Sequence, residues 1–334
     1  MNILFLHRYI PEYSFDEWLN AKWIECIYKM GTHGIKVYGP MMWDAFPHMC
    51  VCKYDENLTL EQLRSFYGFD VIIVNTKSRC FFYYDPKANR AEGCWLPKDF
   101  TTFTKSIPRL ILDQDSHYEK DGKWLQEMKF DMILQRHYSQ SLRDWGIPCK
   151  WLPFSVDTST FHKDRLTCDH KGVPLRLPPY EQRIKKICFT GNNADDAYVI
   201  RRTAINRLLA VGVAANFAGA KKVDGEYVQV LRQYVGYLSC GSIYEITAAK
   251  NFEIMASGGV LLTNRFKGIE LLFPDNCYVP YSNDCCDIEV QANRILNDVS
   301  YTANIVQKAH ECIRARHTHE VRMNELVDII QKMR

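Results

Sequence analysis

Short apolar runs alternate along the chain with longer amphipathic stretches. NILFL (2–6), IKVYG (35–39), DVIIVN (70–75), RLILD (109–113) and DMILQ (131–135) have the length and apolar density of strands buried on both faces. FDEWLNAKWIECIYKM (15–30) sets Trp18, Ala21, Lys22, Glu25 and Tyr28 around a helix with one mostly apolar side. YSQSLRDWG (138–146) reads as a helix leading into KWLPF (150–154). Strand, helix, strand in this order predicts a mainly parallel sheet.

Residues 157–185 break the rhythm with three prolines and many charges, and read as a linker or surface excursion. The rhythm then resumes. Strands are expected at KICFTG (186–191), AANFAG (214–219), YVGYLS (234–239), GVLLT (259–263) and CYVPY (277–281). Helices are expected near 196–211, 225–233, 245–257, 284–297, 300–316 and 318–333. The pattern predicts an α/β protein of two Rossmann-like domains. The first covers 1–156, the excursion 157–185, the second 186–317, and a closing helix 318–334. Ligands of open parallel sheets sit beyond the carboxyl ends of the strands, so a site is expected there, in a central cleft.

Formal charge is +3, too balanced for a dedicated nucleic-acid binder, though it leaves a DNA substrate open. The 13 cysteines are scattered without a CxxC pair, which suits reduced thiols in a cytoplasmic protein. The start, MNILFLHRYIPEY, lacks the long apolar stretch of a signal peptide, and no run approaches a membrane span. Cys168-x-His170 and His317-x-His319 lack partners at zinc spacing, so no metal site is expected from them. Asp113-Gln114-Asp115 has the form of a DxD metal motif and reads as coincidence beside the two-domain pattern.

The stretch YEITAAKNFEIMASGGVLLT (244–263) is the most informative. Glu245 and Glu253 are eight positions apart; on one helix they would lie roughly 12 Å apart along its axis. That is the span from a sugar ring past two phosphates to a ribose. Ser242-x-x-Glu245 also fits a capping box, and Glu253 also fits a solvated helix face, so both readings stand at this level. A helix start offers unpaired N–H groups to a diphosphate. Gly258-Gly259 permits a tight reversal into the strand that follows.

Lys250-Asn251-Phe252-Glu253, Ser257-Gly258-Gly259, Gly268-Ile269-Glu270 and Phe273-Pro274-Asp275 together resemble the donor-binding half of glycosyltransferases related to the CgeB spore-maturation protein. KWLPFSVDTSTF (150–161), CFTGN (188–192) and HTHEVRMNELVDII (317–330) resemble further segments of that family in the same order. The family pattern carries Arg where this chain has Lys250, which keeps the charge but loses the planar fork. The resemblance implies the GT-B fold, similar to glycogen-synthase-like retaining glycosyltransferases. It implies that Glu245 lies near the transferred sugar and that Glu253 accepts from the ribose hydroxyls. Gly191, Asn192, Arg201 and Lys250 are implied at the diphosphate, with Thr263 at the end of the following strand. His117, after RLILD, is either a half-buried structural histidine or, as the resemblance implies, a contact to the donor sugar.

The expected protein is a metal-independent, retaining glycosyltransferase without a bound cofactor. Its co-substrate is a nucleotide-diphosphate sugar, expected to be a UDP-sugar. Its acceptor is a glycan, a protein, a small molecule or a modified DNA base. A nucleotide-sugar epimerase and a non-catalytic nucleotide-sugar-binding protein are the alternatives.

Overall fold

The computed structural model describes residues 1–7, 22, 34–38, 55, 57–75, 96–103, 106–113, 123–161, 167–168, 174–175, 178, 180–191, 196–215, 225–274 and 276–333. It divides into two compact units, Met1–Pro153 with Met323–Arg334, and Phe154–Arg322. Residues 154–185 thus group with the second unit, and the closing helix belongs to the first from Met323 onward.

The first unit is built on six strands: β1 (Asn2–Leu6), β2 (Gly34–Tyr38), β3 (Val71–Asn75), β4 (Arg109–Asp113), β5 (Met132–Gln135) and β6 (Cys149–Trp151). They lie in the order β2-β1-β3-β4-β5-β6, every neighbour parallel. Successive strand residues point to opposite faces, so each apolar run feeds two cores. Ile3, Phe5, Val71, Ile73, Leu110 and Leu112 pack on one face with Met323, Leu326 and Ile330 of the closing helix, His319–Lys332. Leu4, Leu6, Ile72, Val74 and Ile111 pack on the other with Leu60 and Leu63. Those two leucines come from the helix Leu60–Tyr67, which a Thr59/Gln62 capping box opens and a left-handed Gly68 (φ 60°) closes. The expected helix 138–146 stops at Ser141, where the Trp145 indole turns back to donate to the Gln140 carbonyl at 2.9 Å.

The second unit repeats this winding on four strands: β9 (Ile184–Cys188), β10 (Tyr234–Ser239), β11 (Val260–Asn264) and β12 (Val279–Tyr281). They follow a small antiparallel pair, β7 (Thr167–Cys168) and β8 (Pro174–Leu175). The order is β12-β11-β10-β9, again parallel. Ala214 bridges Ile187 on the outer side of β9, the described part of the expected strand 214–219. In each sheet the chain therefore steps to one side of its first strand and then returns to the other. The switch points lie between β1 and β3 and between β9 and β10, and such points are where open α/β sheets bind ligands.

The segment HTHEVR explains how the second unit is closed. The Val156 amide donates to the His317 carbonyl at 2.9 Å, and Val156 forms a parallel bridge with Thr318. The His317 ring lies edge-on between Phe252 and Phe273, at centroid distances of 5.2 and 5.4 Å. Its Nδ1 accepts from the Arg322 guanidinium at 3.0 Å, so Nε2 carries the proton and donates to the Leu272 carbonyl at 2.9 Å. Burial outweighs the carbonyl's pull and, with Arg322 and Arg316 nearby, pushes the imidazole down to about 4 from 6.5. Between those values the unfolded chain binds the extra proton, so this group's contribution falls as pH drops through that window, by up to about 3 kcal/mol. Urea midpoints measured from pH 7 to pH 4 should fall more steeply for the natural chain than for His317→Gln. Parallel curves would remove His317 as the cause.

Candidate active site

The switch point of the second sheet gathers most of the expected donor residues that the structure describes. β9 runs out into Phe189-Thr190-Gly191, and Gly191 takes φ 134°, a conformation side chains rarely adopt. A Cβ there would lie 2.9 Å from Lys250 Nζ. Lys250 stands in the first turn of the helix Ala249–Ala256 and donates to the Thr190 carbonyl at 2.7 Å. Its ammonium also lies 4.8 Å from the centroid of the Phe189 ring. Arg201, buried in the helix Val199–Ala210, stacks on Tyr198 at 3.8 Å and over Phe189 at 5.3 Å. Two cations thus share one aromatic floor. Burial, then repulsion from Arg201, pushes Lys250 down to about 7, against the opposing pull of Glu253 and Cys240. Burial also lowers Arg201, against the pull of Tyr198, Cys240 and Tyr281. Adjacent Arg202 instead faces Asp196, 3.7 Å away at the surface.

β10 leads through Cys240-Gly241 into a turn at Ser242–Glu245. Gly241 is pinned by its amide to Asn264 Oδ1 at 2.9 Å, and a Cβ there would come within 2.6 Å of the Phe266 ring. Ser242 (φ 58°) and Glu245 (φ 52°) both take left-handed backbone, which costs non-glycine residues energy and gathers at functional turns. Glu245 is exposed and precedes the helix. This corrects two expectations: the helix begins at Ala249, so Glu245 and Glu253 do not share it, and Ser242 is not its cap. The N-cap is Ala248, which has no side-chain oxygen to offer the first N–H groups. Just before it, Thr247 is 1% exposed and its hydroxyl has no hydrogen-bond partner among the described residues. A buried polar atom left so costs about 1–3 kcal/mol, which makes Thr247 a candidate that its local sequence did not single out.

Glu253 lies one turn beyond Lys250 on the same helix and is 9% exposed, so it is not on a solvated face. Its Oε2 accepts from the Tyr227 hydroxyl at 2.5 Å. Gly258 (φ 77°) then makes the reversal into β11, and Gly259 fits because a Cβ would meet the Tyr237 ring at 2.6 Å. Thr263 is fully buried in β11, its hydroxyl directed to the Asn264 carbonyl at 3.4 Å, so it is not brought to a ligand-accessible surface. Asn192 and His117 lie outside the described residues.

In the first unit, the equivalent switch point holds His7, whose Nδ1 lies 3.1 Å from Asn75 Nδ2, both side chains buried. Asp113 accepts from the Gln135 amide on the adjacent strand at 2.6 Å, a sheet contact; Asp115 is outside the described residues. Among the described residues no group of three or more His, Cys, Asp or Glu side chains could hold a metal ion. Among them, too, no helix is long and apolar enough to cross a membrane.

Residues 201–328 match the family model described as Glycosyl transferase-like. That span holds Arg201, the strained turn, Lys250 and Glu253. No curated protein sequence matches the chain. Solved structures resemble it over nearly their full length. Sucrose-phosphate synthase from Thermosynechococcus elongatus superposes with a TM-score of 0.59 at 11% identity, covering 100% of this chain and 99% of that one. HepE of Anabaena, in complex with UDP and glucose, gives 0.59 at 10% identity, covering 99% and 100%. An alpha-glucosyltransferase in complex with UDP-glucose and DNA containing an abasic site gives 0.58 at 10% identity, covering 99% of each.

Proposed function

We propose that this protein, a glycosyltransferase of the GT-B fold, takes its sugar from a nucleoside-diphosphate sugar held by the second unit. The observation that carries the reading is the pairing of Lys250 and Arg201 at the β9/β10 switch point, beside a helix start without a side-chain cap. Two cations crowded on one aromatic floor suit a diphosphate, whose charge relieves their repulsion. As the glycosidic bond breaks, negative charge grows on the leaving phosphate, and these groups stabilise it in place. Glu253, one helical turn on, is placed to accept from the donor's ribose hydroxyls. Glu245, on the exposed turn, is assigned to the transferred sugar, and His117 of the first unit to the same sugar. Thr247 joins the donor-binding set.

UDP is the nucleotide of choice to test, since two of the structural relatives are bound to UDP or UDP-glucose. The acceptor is proposed to bind to the first unit. A hydroxyl-bearing base in DNA belongs in the acceptor panel beside glycans because one relative is bound to DNA. Dependence of acceptor binding on salt separates the two, since counterion release gives DNA a steep slope. We assign retention of configuration and metal independence to the same reading. A thermal-shift screen of nucleotide sugars should find one that, at 100 times its dissociation constant, adds about 2.7 kcal/mol. Sugar transfer from that donor should then persist in excess EDTA, with the product's anomeric proton showing retention. Loss of transfer in EDTA, restored by manganese, would return Asp113 and Asp115 to the donor site.

A further inference from the structure

We propose that Tyr227 is a positioning residue that aims the Glu253 carboxylate at the vicinal diol of a ribose. The inference rests on the reading of Glu253 as the ribose acceptor, and adds the residue that makes it selective. Tyr227 stands on the helix Gly225–Gln233, which Val228 and Leu231 bury fully against the second unit. Its ring leans edge-on against buried Phe161, with centroids 6.4 Å apart at 73°. The hydroxyl therefore approaches Glu253 from a fixed direction, and 2.5 Å is the separation of a charge-assisted O–H···O⁻ bond. A glutamate side chain has three rotatable bonds, and a vicinal diol needs the carboxylate plane in one orientation. Tyr227 supplies that orientation before the ligand arrives. A carboxylate has about four lone-pair sites, so a bond from one phenol does not exhaust it.

Tyr227→Phe tests this, because it keeps the ring and its contact with Phe161 while removing the hydroxyl. UDP, GDP and ADP are first compared by calorimetry on the natural chain. The tightest is carried forward with its dideoxy counterpart, which lacks both ribose hydroxyls. The variant should bind the ribose form about 5- to 10-fold more weakly, an affinity loss of about 1–1.4 kcal/mol. It should bind the dideoxy form as the natural chain does. Unchanged binding of both forms would overturn the proposal while leaving the donor reading intact. Equal weakening of both would assign Tyr227 to general packing and overturn it as well. If the natural chain bound ribose and dideoxy forms equally, the ribose role of Glu253 would fall, and Tyr227's with it. Failure of all three nucleotides to bind would sink the donor reading itself.

Discussion

Glu253→Gln is expected to lower affinity for the nucleoside diphosphate about 10- to 150-fold, the loss of one charged acceptor for the ribose hydroxyls, worth about 1.5–3 kcal/mol. The residue is nearly enclosed and already held by Tyr227, so it meets the ligand in one geometry. Glu245→Gln should act differently. Glu245 sits exposed on a left-handed turn ahead of the helix, where it makes no capping box to lose. If its partner is the sugar in flight, nucleotide affinity stays near the natural value and kcat falls. Calorimetry with UDP, run beside turnover of the intact donor, separates the two. Unchanged affinity in Glu253→Gln, with unchanged rate in Glu245→Gln, would leave the pair as ordinary surface and helix acids. Thermal midpoints of both variants show whether any loss reflects damage to the fold.

That pair also shows how far the sequence could be read. The buried strands were legible because a parallel sheet covered on both faces demands unbroken apolar runs, and VIIVN, RLILD and VLLTN supply them. The helix start was not. Ser242-x-x-Glu245 satisfies the local capping rule, yet a tertiary constraint prevails. Gly241, packed under Phe266 and bonded to Asn264, fixes the chain's exit from β10, and residues 246–248 then run without helix before it begins. Asn264 is 23 residues from Gly241, beyond the range of a capping rule. The same holds for Tyr227 and Glu253, 26 residues apart, and for the Lys250 contact with Thr190 across 60. Spacing within one segment singled out the two acids as candidates, though they do not share a helix. It could not say what holds them, nor that Thr263 would face inward.

Lys250→Met should separate function from stability more sharply than any other substitution in this site. Lys250 is half-buried against the Phe189 ring, the Thr190 carbonyl, Gly191, Arg201, Glu253 and Cys240, and burial above all brings its pKa to about 7. The folded protein therefore holds fewer protons than the unfolded chain between about 7 and 10.5. Stability from this group rises with pH across that window and is lowest below it. Methionine fills similar space without the charge. The variant should melt higher than the natural chain near pH 6, and the gap should shrink toward pH 10. Donor binding should move the opposite way. Removing the charge costs contact with the diphosphate, about 10- to 150-fold in affinity. The natural chain's affinity for a UDP-sugar should itself fall as pH rises above about 7, because the complex must then take up a proton. The sugar diester is the right probe, since it lacks the secondary phosphate ionisation near ~6 that free UDP carries. In Lys250→Met that pH dependence should vanish. Calorimetry of the sugar nucleotide in buffers of different ionisation enthalpy reads the proton uptake directly. Zero uptake at pH 8 in the natural chain, or a variant that binds with the same affinity and the same pH slope, would remove Lys250 from the diphosphate and leave it a structural lysine bonded to Thr190.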